Sequence, residues 1–110
     1  MLNIRETPFR KTVIKGGKPY KAIIVTDNYY KTNGESVIVV KDVTESTIEL
    51  DSTTTDRIKI KTLTNCTLIP DTGRIDEDWD EISVGRGACV ELQYIGGTWY
   101  ILSSDGLKME

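Results

Sequence analysis

After residue 20, apolar and polar residues alternate along most of the chain with the period of two that belongs to strands. In "STIELD", residues 46–51, Ile48 and Leu50 fall on one face and Thr47 and Glu49 on the other. "DRIKIKT" (56–62) repeats this, with Ile58 and Ile60 inward and Lys59 and Lys61 outward. "NCTLIP" (65–70) pairs Cys66 with Leu68 before Pro70 stops the strand. "YKAIIVT" (20–26) and "SVIVVKD" (36–42) are short apolar runs rich in β-branched residues. Towards the end, "ACVELQY" (88–94) sets Val90, Leu92 and Tyr94 on one side, and "TWYIL" (98–102) sets Trp99 beside Ile101.

The punctuation between these runs is that of turns. Gly96-Gly97 and Asn33-Gly34 can take the positive φ of tight turns at little steric cost. No window carries a helical period. The pattern predicts an all-β domain over residues 21–110, a small module of many short antiparallel strands, sandwich or β-helix-like. Trp99 shares a face with Ile101, so it is predicted to close the core rather than to stack on a sugar. Its indole N–H is expected to find a nearby acceptor.

Residues 1–20 differ. Pro8, Gly16, Gly17 and Pro19 interrupt singly scattered apolar residues, so this stretch cannot bury much surface by itself. It reads as a disordered tail or as an extended arm that orders on a partner. Charge sharpens the division. Residues 1–21 hold six basic side chains against one acidic, and the remainder eight basic against sixteen acidic. A basic lead and an acidic body suggest two regions facing different surroundings.

Composition narrows the chemistry. A chain of 110 residues is one domain with a modest core. No apolar run approaches the roughly 18 residues that span a bilayer, and the first residues lack the apolar region of a signal peptide. The chain is therefore expected to be made and assembled in a cytoplasm, with no membrane partner. There is no histidine, so Ser-His-Asp and Cys-His mechanisms are excluded for this chain alone. Two cysteines, Cys66 and Cys89, without a CxxC read as free thiols and not as a zinc site.

Three further candidates were weighed. In "DTGRIDEDWDE" (71–81), Asp76, Asp78 and Asp80 at alternate positions suggest a calcium site, but the EF-hand template fails for lack of its glycine and its final glutamate. A solvated acidic loop is the simpler reading, with Trp79 as an exposed aromatic. A carboxylate pair for glycoside hydrolysis has almost no specificity in so acidic a chain. Nucleic-acid binding would need cations clustered with aromatics, whereas the lead spreads its charge with only Phe9 and Tyr20 between. No enzymatic activity, cofactor, metal or nucleic-acid partner is expected.

The order of "SVIVVKD", "STIELD", "RIKIKTLTNCTLIPDTGRID" and "GACVELQYIGGTWYILSSDG" resembles the β-structured modules of tailed-bacteriophage virion proteins: tail-fibre and tailspike domains, head fibres and decoration proteins. The likeness covers about residues 36–106. It departs where Leu50 is followed by Asp51 in place of proline, and where "DEDWDE" replaces an expected glycine. The resemblance implies a non-enzymatic virion protein, a capsid decoration or short head-fibre protein, forming a homotrimer about a three-fold axis. The chain is then expected to be a complete small protein assembled in the host cytoplasm. Residues 1–20 would attach it to capsid or tail proteins through Arg5, Phe9, Arg10, Lys11, Lys15 and Lys18. The alternative is a tail-fibre tip that recognises a host surface glycan through Tyr29, Tyr30 and Trp79.

Overall fold

A computed structural model of the chain describes residues 21–54 and 56–107. The described residues contain nine strands: β1 (Ala22–Val25), β2 (Tyr29–Lys31), β3 (Val37–Val40), β4 (Glu45–Leu50), β5 (Ile58–Thr62), β6 (Asn65–Pro70), β7 (Arg74–Ile75), β8 (Ile82–Ile95) and β9 (Thr98–Leu107). The all-β expectation holds, in a solenoid-like arrangement. The expectation of mainly antiparallel strands does not. β1, β3 and β5 pair in parallel as one arm, and β2, β4 and β6 pair in parallel as a second.

The chain therefore advances in coils, each giving one strand to each arm. Equivalent positions lie 15 residues apart from Ala22 to Val37 and 22 from Val37 to Lys59 in the first arm. In the second they lie 18 apart from Tyr29 to Thr47 and 20 from Thr47 to Thr67. Asn33-Gly34 makes no hairpin. Gly34, at φ 80°, turns the chain between β2 and β3, which pair with different neighbours. Alternation in a sequence specifies the face a side chain takes, not the direction of the strand beside it, and this is why the parallel direction was not foreseen, although a β-helix-like module was one of the two architectures expected.

Antiparallel pairing enters only with β8. Its first residues pair with β6 (Leu68 with Ile82) and its later ones with β5 (Ile60 with Val90), so one strand joins the two arms. The register breaks between Val84 and Cys89, where Gly87 takes φ 88°. Gly96 and Gly97, at φ 59° and 97°, then close the predicted hairpin to β9.

The core lies between the arms. Its inward rows follow the predicted alternation: Ile38, Ile60 and Val90 in one arm, and Ile48 and Leu68 in the other, are all 0% exposed. Trp99 is also fully buried, with its ring 5.6 Å from that of Tyr94. Its Nε1 has no hydrogen-bond partner, contrary to expectation.

Hydroxyls tie successive corners together. Ser46 Oγ donates to the Asp27 carbonyl of the coil before it at 2.8 Å. Thr64 Oγ1 reaches the Val43 carbonyl at 2.7 Å and the Thr44 carbonyl at 2.8 Å. Buried Ser and Thr here satisfy corner carbonyls that no ladder serves, which removes the desolvation cost of burying them. Both cysteines are free thiols; Cys66 is buried and Cys89 half-buried.

Candidate functional site

The outward face of the second arm carries a built feature. Register places Tyr29, Thr47, Thr67 and Ser83 side by side across β2, β4, β6 and β8. Beside this row lies an open groove of about 640 Å³, lined by Asn28, Glu45, Thr47, Asn65, Thr67 and Ser83, with Cys66 and Val84 in its wall. Amides and hydroxyls dominate, with Glu45 the only ionisable carboxylate among the lining residues. Such a lining suits a neutral ligand rich in hydroxyl groups, which needs paired donors and acceptors more than charge. Burial pushes the Cys66 thiol up to about 11, so at neutral pH it stays protonated and unreactive.

The aromatic candidates do not share a face. Tyr29 is 49% exposed, and its hydroxyl donates to the Glu49 carboxylate two residues along β4. That hydrogen bond, with smaller contributions from burial and the Glu49 charge, raises the Tyr29 pKa. Tyr30 turns the other way, packing half-buried on the core with its hydroxyl on the buried Glu35 carboxylate. Burial first, then that hydrogen bond and the Glu35 charge, push Tyr30 up to about 12. Trp79 is half-buried and also packs on the core. From β2 to β9, which carries the turn holding Trp79, there are four ladders, about 19 Å at the usual strand spacing. The three rings form no single platform.

The acidic run is a tight turn, not an extended strand. Asp76 and Glu77 both take positive φ, 51° and 69°, and the Ile75 and Trp79 backbones bond to each other. Asp76 Oδ1 accepts the Ile101 N–H at 3.0 Å, Glu77 Oε2 accepts the Tyr100 hydroxyl at 3.0 Å, and Asp80 lies 3.4 Å from Arg74. Asp76 thus serves the β9 backbone just beyond the last β7 pair, while Glu77 and Asp80 hold side chains of β9 and β7. Among the described residues no three acidic or thiol groups come together as a metal site.

The outward face of the first arm is apolar at its start. Ala22 and Val37 occupy one outward row, and Ile24 and Val39 the next, with Ile24 60% exposed. The rows continue into Lys59 and Lys61, then Glu91 and Cys89. Arg57 pairs with Glu91 at 3.8 Å, and Lys61 Nζ donates to the Gly87 carbonyl at 2.7 Å.

Arg5, Phe9, Arg10, Lys11, Lys15 and Lys18 lie outside the described residues. The groove residues Asn28, Glu45, Asn65 and Ser83 were not singled out from sequence. The available signal was the 20-residue echo that aligns Glu45 with Asn65 and Thr47 with Thr67. No protein-family model matches the chain, and no curated protein matches it.

Proposed function

We propose that the chain is a non-enzymatic structural protein of a tailed-bacteriophage virion, a capsid decoration or short head-fibre protein. It acts as a homotrimer and is fixed to capsid or tail proteins by the basic residues of its first 20. The observation that carries this reading is the stack of parallel coils ended by a hairpin, a scaffold suited to a structural role. Self-association is supported by the outward apolar rows of β1 and β3, since monomers rarely leave such a patch on a sheet face. Three copies about an axis would cover it.

The test is made on particles. Virions purified by density gradient from the cell of origin should contain the chain, and light scattering of the isolated protein should give three times the monomer mass. Absence of the chain from purified particles would overturn the virion reading, and a persistent monomer in both settings would overturn the trimer.

The groove favours a second reading, in which the domain is a receptor-binding tip for a host surface glycan. A glycan array would then show binding that is lost in Asn65→Ala and Thr67→Val. Unaltered binding in both variants would remove the groove from consideration.

A further inference from the structure

An asparagine or aspartate followed by glycine carries its own reaction. The next backbone nitrogen can attack the side-chain carbonyl carbon, and glycine has no side chain to obstruct the approach. The chain has two such pairs, Asn33-Gly34 and Asp105-Gly106. The fold treats them differently. Asp105-Gly106 lies within β9, where Asp105 is held opposite Cys89 of β8 and a Cβ at Gly106 would stand 3.3 Å from that of Ala88. Asn33-Gly34 lies in the corner between β2 and β3, with Asn33 exposed and Gly34 at φ 80°.

The main chain of this corner is held at several atoms. The Asn33 N–H donates to Glu35 Oε1 at 2.6 Å, and Glu35 is itself 3% exposed and accepts the Tyr30 hydroxyl. Lys21 Nζ donates to the Asn33 main-chain carbonyl at 3.4 Å. On either side the backbone is pinned: the Thr32 N–H donates to the Glu49 carbonyl at 2.9 Å, and the Ser36 N–H to the Lys21 carbonyl at 2.7 Å. An ammonium therefore faces the one oxygen that a change of main-chain path at Asn33 would set free.

We propose that Asn33-Gly34 is a site of spontaneous deamidation, and that Lys21 directs its product towards isoaspartate. The Gly34 nitrogen bonds to Asn33 Cγ, and the side-chain amide leaves with that nitrogen's proton as ammonia. Water then opens the resulting succinimide. Where it adds at the main-chain carbonyl carbon, the bond from that carbon to the Gly34 nitrogen breaks, and the nitrogen takes a proton from the water. The main chain now runs through Cγ, and the freed carboxylate includes the oxygen that faced Lys21. Negative charge thus develops beside an opposite charge already in place. Isoaspartate also inserts an extra carbon between two pins set for the shorter path, which strains the corner. None of this depends on what the domain binds.

The test is peptide mapping by mass spectrometry on the full chain, aged in neutral buffer both folded and in urea. The Asn33 amide should be lost at similar rates in the two, whereas isomerisation at Asp105 should be severalfold slower in the folded chain. Isoaspartate at position 33, read by methyltransferase labelling, should fall relative to aspartate in Lys21→Gln, while the rate of ammonia release stays the same. The shift should be modest, because Lys21 is exposed and its charge is screened. The aged parent chain should melt below Asn33→Asp, which adds a carboxylate without the extra carbon, and Asn33→Gln should keep its melting temperature on ageing. An Asn33 amide that survives in the folded chain while it is lost in urea would overturn the site, as would equal protection at the two pairs. An unaltered isoaspartate fraction in Lys21→Gln would overturn the role given to Lys21, and equal melting of the aged chain and Asn33→Asp would overturn the strain.

Discussion

Trp99 is the side chain whose truncation should be felt most. It is the largest fully buried residue, and truncating a buried aromatic costs about 3–5 kcal/mol. Trp99→Ala should lose stability in that range by urea denaturation. Trp99→Phe should lose distinctly less, because it keeps most of the buried ring and also removes an N–H that has no partner. Equal losses in the two would mean that the phenyl ring recovers none of the packing. Cys66 and Tyr30 contribute to the loss of stability in alkali. Their folded pKa values, about 11 and about 12, lie above the ordinary 9.0 and 10.0. A raised acid holds its proton in the folded state while the unfolded chain gives it up, so stability is full below the unfolded pKa and falls as pH rises towards the folded one. Melting temperature should therefore begin to drop near pH 9, and in Cys66→Ala the portion of the drop between pH 9 and about 11 should shrink. Tyr30→Phe should shrink the portion between pH 10 and about 12.

At the scale of elements, the turns decide what the strands can do. Gly73 precedes β7 at φ 76°, and a Cβ there would stand 2.3 Å from the Gly97 carbonyl oxygen of the closing hairpin. Gly87 has φ 88° but open space around it. Gly73→Ala combines left-handed strain with a backbone clash, and Gly87→Ala suffers the strain alone, about 1–2 kcal/mol. Chemical denaturation should rank Gly73→Ala clearly below Gly87→Ala; the reverse order would mean that β7 and the hairpin separate freely. The inward faces of β4, β5, β6 and β8 were legible in the sequence because each is half-buried and alternates. The Gly96-Gly97 hairpin was legible because its partners are adjacent. The coils were not, since the partner of Ile38 is Ile60, and nothing local in "VIVV" points to it. Trp79 was misjudged for a related reason: the acids around it suggested solvent, while positive φ at Asp76 and Glu77 folds the segment back onto the core.

At the scale of the whole molecule, the last coil is a closed end. β8 and β9 close the last coil by supplying Val84, Val90, Leu92 and Trp99, all at most 1% exposed. A chain ending at residue 81 should show no cooperative melt by circular dichroism, since β5 and β6 would lose their common neighbour. A sharp transition in that fragment would show that the parallel coils hold themselves together. Among the described strands, β8 and β9 are also the only sequence neighbours that form a ladder; every other ladder closes a loop of intervening chain. Such closures are slow, because their entropy is lost before the contacts are gained. The fastest element to form is thus one translated after the coils it completes. A ribosome making this protein releases the coil strands first, and they cannot close into the domain until the β8–β9 hairpin has emerged. Coil folding therefore waits on the hairpin, and in that interval the unpaired strand edges are exposed to pairing with one another.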